Sequence, residues 1–184
     1  MNKQIKYLFQ LPLFLLIQIY ILNEILFASY INPYLYLIVL IIMPFKTPKW
    51  YLLIYSFAFG FFIDIFSGNL GMHSTACLIL AILKNTISKI TVPHNIFEEN
   101  HEFTIQKIGG KSFILFSTIL VFIHHLTLFV LEHANLNFHI IVKIILSTIF
   151  TSLIISVSQL FFYKTWINTK TGLKLFYLYF FLLP

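Results

Sequence analysis

Arginine is absent from this chain, aspartate and cysteine occur once each, and only six of its 184 residues carry a carboxylate side chain. Charged residues of both signs amount to 10%, against about 25% in soluble domains, which excludes a water-facing surface of ordinary extent. The lone cysteine, Cys77, can form no internal disulfide, and it lies in an apolar run where it reads as a small packing residue. HExxH, GxSxG and P-loop motifs are missing, as is any pair of acids at catalytic spacing, so the sequence offers no ground for an intramembrane enzyme. No lipidation motif and no internal repeat is visible.

What the chain has instead is apolar mass: 59% hydrophobic residues and a mean hydropathy of +0.90. A spanning helix takes roughly 20 apolar residues, so six would use about 120 positions and leave only short loops. Six apolar segments can be drawn: Tyr7 to Phe27, Tyr34 to Phe45, Trp50 to Phe66, Met72 to Ile87, Phe113 to Leu131 and Phe138 to Phe162. The expectation is an all-α polytopic membrane protein with six transmembrane helices. Residues 1–165 would form the spanning domain and 166–184 an aromatic cytoplasmic or interfacial tail. The second and fourth segments are short, and Asn32-Pro33 and Pro44 bracket the second as turn punctuation. The first segment follows Lys3 and Lys6 as a signal peptide would, but it is long for one, and Leu26 stands where a cleavage site prefers a small residue.

All twelve basic residues are lysines, and their placement tests the count independently. Lys3 and Lys6 precede the first segment. Lys46 and Lys49 follow the second, Lys84, Lys89, Lys107 and Lys111 surround the loop after the fourth, and Lys164, Lys170 and Lys174 follow the sixth. The opposite loops, near Glu24, Gly68 and Glu132, carry none. Six spans with both termini cytoplasmic follow from the positive-inside rule. The loop from Lys89 to Lys111 reads as a mixed-charge cytoplasmic hairpin.

Against this background the stretch FFIDIFSGNLGMHS, from Phe61 to Ser74, stands out. Asp64 sits a few residues from the turn, about 5 Å below it at 1.5 Å per residue. Two readings stand for it: a hydrated interfacial carboxylate ordering its own turn, or an acid facing other helices. Lys143, the one lysine outside the loop pattern, is the natural partner to consider, unless it snorkels to the headgroups. Ser67, Gly68 and Gly71 carry turn chemistry, with His73 just beyond. Gly60, one helical turn before Asp64, reads as a close-packing position. His125 and Glu132 share a helix face at i and i+7, whereas the adjacent His124 and His125 point about 100° apart. Interhelical hydrogen bonding is the default for such residues, and no metal or cofactor site is expected.

Gly60 followed by FFIDIFSGNLGMHSTA resembles the signature of the MreD family of rod shape-determining membrane proteins. The resemblance continues through Gln18, INPYLYLIVLIIMP from Ile31, PKW from Pro48, HHLTLFVLE from His124 and SQLFFY from Ser158. It departs from the family in the absence of arginine, with Lys84 near a common arginine position, and in the aromatic tail. The resemblance implies a non-enzymatic scaffold in the bacterial cytoplasmic (inner) membrane. Such a scaffold associates with the single-span protein MreC and, through it, links MreB to the peptidoglycan synthases. It also implies fold kinship with the S-components of vitamin transporters, and a vitamin-like binder is the alternative from another class; fold kinship does not itself transfer a ligand.

Overall fold

The computed structural model describes residues 3–22, 33–68, 71–98, 101–133 and 137–169. Among the described residues it is all-helical, with no strand. Helix α1 (Lys3–Ile17) runs on through a π-helical turn, Gln18–Leu22, and is followed by the short α2 (Leu37–Ile42). The remaining elements are α3 (Lys49–Ser67), α4 (Met72–Thr91), the short α5 (Asn95–Glu98) and α6 (Ile105–Ile108), α7 (Gly110–Glu132) and α8 (Phe138–Thr169).

Among the described residues three helices are long and apolar enough to cross a membrane: Lys49–Ser67, Gly110–Glu132 and Phe138–Phe161. Their side-chain distribution is that of helices solvated by lipid. In α3, Trp50, Ile54, Phe57, Phe61, Ile65 and Phe66 are exposed. In α8, Ile145, Ile149, Leu153 and Val157 face outward, while Ser147, Thr148, Thr151 and Ser152 are buried. Lipid solvates large apolar groups as well as a protein core does, so small and weakly polar residues go to the helix contacts, where backbones must approach.

Helices α3 and α4 form an antiparallel hairpin, α4 packs along α7, and α7 packs along α8. The helix ends at Gly68, Gly71, His133 and Asn137 therefore lie at one end of the bundle. Lys49, Lys89, Lys107 and Lys111 lie at the other. We call these the hairpin end and the lysine end.

The second apolar segment departs from the expected spanning helix. Only six residues of it are helical, about 9 Å, yet every side chain from Tyr36 to Met43 is buried. Tyr36 bonds to His73 in the first turn of α4, and Met43 meets Lys84 about three turns further along. The segment thus runs from the hairpin end toward the lysine end inside the bundle. Irregular backbone is tolerated at membrane depth only where protein encloses it and supplies partners. Those partners are present: Gln18 Nε2 donates to Pro33 O at 2.9 Å, and Tyr34 N donates to Thr151 Oγ1 at 3.3 Å. At the far end Phe103 N donates to Ile42 O at 3.0 Å and Lys84 Nζ to Met43 O at 2.6 Å. An enclosed segment needs no lipid face, which is why it is short and apolar on every side.

Two further readings gain detail at the lysine end. Lys84 is no loop lysine: it is fully buried inside α4, lies over the Phe103 ring, and its Nζ donates to the carbonyl of Met43 at the C-terminus of α2. The mixed-charge stretch between Lys89 and Lys111 packs part of its described length onto the bundle, while Pro93, His94, Asn95 and Lys107 stay exposed. Val92, Phe97, Phe103 and Ile108 are buried, Phe103 meets Phe116 edge-on, and Tyr7 donates to Glu102 at 2.9 Å. Helix α8 continues to Thr169, and the aromatic tail from 170 onward lies outside the described residues.

Candidate functional site

The quoted motif folds into a clamp between α3 and α4. Gly68 ends α3 with φ 72° and Gly71 precedes α4 with φ 89°, both in the left-handed region that glycine enters without strain. Open space surrounds both glycines, so the backbone angle and not packing selects them. Gly60 is chosen for the opposite reason. A β-carbon there would lie 2.5 Å from Ser74 Cα and 2.6 Å from His73 O, so only glycine lets the two helix backbones touch.

That close approach brings Asp64 to the start of α4, whose first turn contains no acid and whose flanking residue provides no side-chain cap. Asp64 is fully buried. Its Oδ1 accepts from His73 N at 2.8 Å; its Oδ2 accepts from Gly71 N at 3.1 Å, Ser74 N at 2.9 Å and the Ser74 hydroxyl at 2.5 Å. The amides at the start of a helix have no intrahelical partners, and the dipole there favours a negative charge. Asp64 therefore caps the N-terminus of α4 from the preceding helix, across the turn, where the N-cap residue Gly71 has no side chain to do so. The two sequence readings merge: the carboxylate orders its own turn, but as a buried group and not a hydrated one.

Lys143 is not its partner. The Lys143 ammonium lies 4.8 Å from the centre of the Phe129 ring, one helix away on α8. Glu132 does not approach His125 either; it is exposed and sits 3.8 Å from His133 Nδ1. Ser67 closes α3 as its last residue.

The clamp continues inward through His73, whose backbone bonds Asp64 and whose ring Nδ1 lies 3.2 Å from the Tyr36 hydroxyl. The same hydroxyl is 2.8 Å from His124 Nε2 and 3.8 Å from Cys77 Sγ. One phenol has one proton and two lone pairs. Donation from Tyr36 to His73, with acceptance from His124 and from the Cys77 thiol, satisfies all three contacts. In that assignment His124 Nδ1, which has no partner among the described residues, is an acceptor and not a stranded donor.

Tyr34 fills the space between, its ring 5.2 Å from His73, 5.6 Å from His124 and 5.1 Å from His125. His125 bonds Val121 O through Nδ1 at 2.9 Å and approaches Thr151 of α8 at 3.5 Å. The α3–α4 hairpin, the segment leading into α2, α7 and α8 are thus tied together at one level.

No family model, curated protein or solved structure matches this chain. The chemistry of the site must be read from its geometry. Among the described residues no three histidine, cysteine or acidic side chains gather as metal ligands. The polar atoms bond one another instead of converging on a shared open position. What the arrangement does is fix five chain segments relative to each other, with directional bonds in a place where lipid supplies no competing partners.

Tyr34, Tyr36 and Thr151 were not expected in this role, nor Lys84 in its own at the other end of α2. A signal existed for the tyrosines, a pair directly after Asn32-Pro33, and for Lys84, a lysine inside an apolar run. Thr151 carried none, because threonine is ordinary in a lipid-facing helix.

Proposed function

We propose that this chain is a non-enzymatic membrane scaffold of the MreD type, which binds an MreC-like single-span protein and supports peptidoglycan synthesis in rod-shaped growth. It crosses the bacterial cytoplasmic membrane six times, the second crossing being the enclosed segment around α2. The lysine end faces the cytoplasm, as the positive-inside rule requires. One observation supports the reading: the residues that resemble the family signature, Gly60, Asp64, Gly68, Gly71 and His73, build a helix clamp whose carboxylate is occupied by the amides at the start of α4. A motif of that kind serves shape and not turnover. The exposed apolar faces of α3, α7 and α8 are left to lipid and to partner helices.

The test is affinity purification of the tagged full-length chain from its native membranes, with depletion in the same strain. Recovery of an MreC-like single-span protein and rounding of rod-shaped cells are expected. Normal rods after verified loss, with no such protein recovered, would overturn the scaffold. Saturable binding of a vitamin-class molecule would transfer the reading to an S-component-like binder. Cysteines placed at Asn100 and Asn135 should label from opposite faces of the membrane; labelling of Asn100 from outside would overturn the six-crossing arrangement.

A further inference from the structure

The lysine end holds a cavity of about 280 Å³ between the first turns of α3 and the last turns of α4. Its chemistry is graded. Lys49 and Lys89 stand at the terminal level, Asn85 and Thr86 about one turn further in, and Leu53 and Ile82 line its inner part. None of the lining residues is acidic. Neither lysine forms an ion pair among the described residues, and the Lys89 ammonium is held 5.9 Å from the centre of the Phe45 ring, which also lines the cavity. The cavity borders the lipid-facing surface, since Ile82 and Trp50 are 62% and 64% exposed.

We infer that this cavity is a binding site for the headgroup of an anionic phospholipid. Two ammonium groups at headgroup level, neither ion-paired among the described residues, recognise a phosphodiester. Asparagine and threonine below them match glycerol and ester oxygens, and the apolar inner wall continues into the exposed Ile82, where an acyl chain lies. The volume is near the lower end of small-ligand pockets, roughly 300–1,000 Å³, which suits one headgroup and not a whole lipid. Basic pockets between membrane helices on the lysine-rich side are recognised sites of this kind, and neighbouring lysines each contribute through the same electrostatics. A zwitterionic headgroup brings its own cation into the lysine pair and is disfavoured. This assignment depends on the chain lying in a membrane and not on its partner in cell-wall synthesis.

The experiment uses the full-length protein purified in a mild, non-ionic detergent, delipidated, and titrated with dioleoylphosphatidylglycerol, dioleoylphosphatidylcholine or inorganic phosphate. Bound lipid is counted by native mass spectrometry. Phosphatidylglycerol is expected to be retained in preference to phosphatidylcholine. Lys49→Gln with Lys89→Gln should weaken that retention about 25-fold, roughly fivefold per lysine, while Lys49→Arg with Lys89→Arg should keep it. The control pair Lys107→Gln with Lys111→Gln removes the same charge at the same end and should leave retention unchanged; both pairs are checked for intact folding by monodispersity. Equal losses in the two pairs would overturn the site in favour of general charge attraction. Equal retention of the two lipids, or binding of phosphate with no lipid preference, would overturn the lipid assignment.

Discussion

Replacing Asp64 with alanine removes the cap of α4 without touching any lipid-facing residue. Three backbone amides, of the exposed Gly71 and the buried His73 and Ser74, then lose their acceptor, while the Ser74 hydroxyl can rotate to another partner. Interhelical hydrogen bonds in membranes average about 0.6 kcal/mol, and ordinary intramolecular ones about 1 kcal/mol. The three amides together are then expected to cost about 2–3 kcal/mol. The lost charge at the helix N-terminus adds up to ~1 kcal/mol. The assay is built into the chain: Cys77, the only cysteine, lies in the second turn of α4 and is fully buried. A maleimide reaches it only when α4 separates from α3 and α7. Where reclosing outpaces labelling, the rate follows the population of the open form, so a 2–3 kcal/mol change should accelerate modification roughly 30- to 150-fold. Asp64→Asn should fall between wild type and alanine, because its carbonyl still accepts while its amide nitrogen faces a donor. A Cys77 labelling rate in Asp64→Ala within twofold of wild type would refute the clamp.

Gly60→Ala should force α3 from α4 and cost about 1–3 kcal/mol as an overpacking change, read as a lower thermal midpoint of the detergent-solubilised protein; an unchanged midpoint would contradict the backbone contact. Lys84→Met should strand Met43 O without a donor, at about 1–3 kcal/mol, and a neutral result would show that α2 does not need that cap. Lys143→Met should add independently to Asp64→Asn in a double-mutant cycle, because the two side chains do not meet; a double mutant milder than the sum would reinstate the ion pair.

The all-helical class, with apolar helices of spanning length, was legible because apolar run length is a one-dimensional signal of the bilayer. The turn at Gly68 and Gly71 was legible because left-handed backbone selects glycine, and Gly60 because helices that touch must give up a side chain. What the sequence concealed is everything that depends on which helix neighbours which. Asp64 and Lys143 share one end of the molecule and opposite signs, so pairing them was natural, but the carboxylate is filled by amides seven to ten residues downstream. The second segment looked like a weak span because a run of apolar residues does not record whether lipid or protein surrounds it. Lys84 resembled a boundary lysine for a similar reason: charge marks an interface unless a carbonyl inside the bundle claims it.

The enclosure of α2 also sets an order of events during biogenesis. A six-residue helix is too short to be stable alone in water or lipid, and its terminal groups are completed by Gln18 before it and by Lys84, Phe103 and Thr151 after it. The last of these is 117 residues beyond Tyr34. A segment that begins at Tyr34 therefore cannot settle until α8 has left the ribosome and docked. The amino-terminal half waits, with a polar seam open, for the carboxy-terminal half. Shortening the protein before α8 would consequently unseat a region encoded near its beginning.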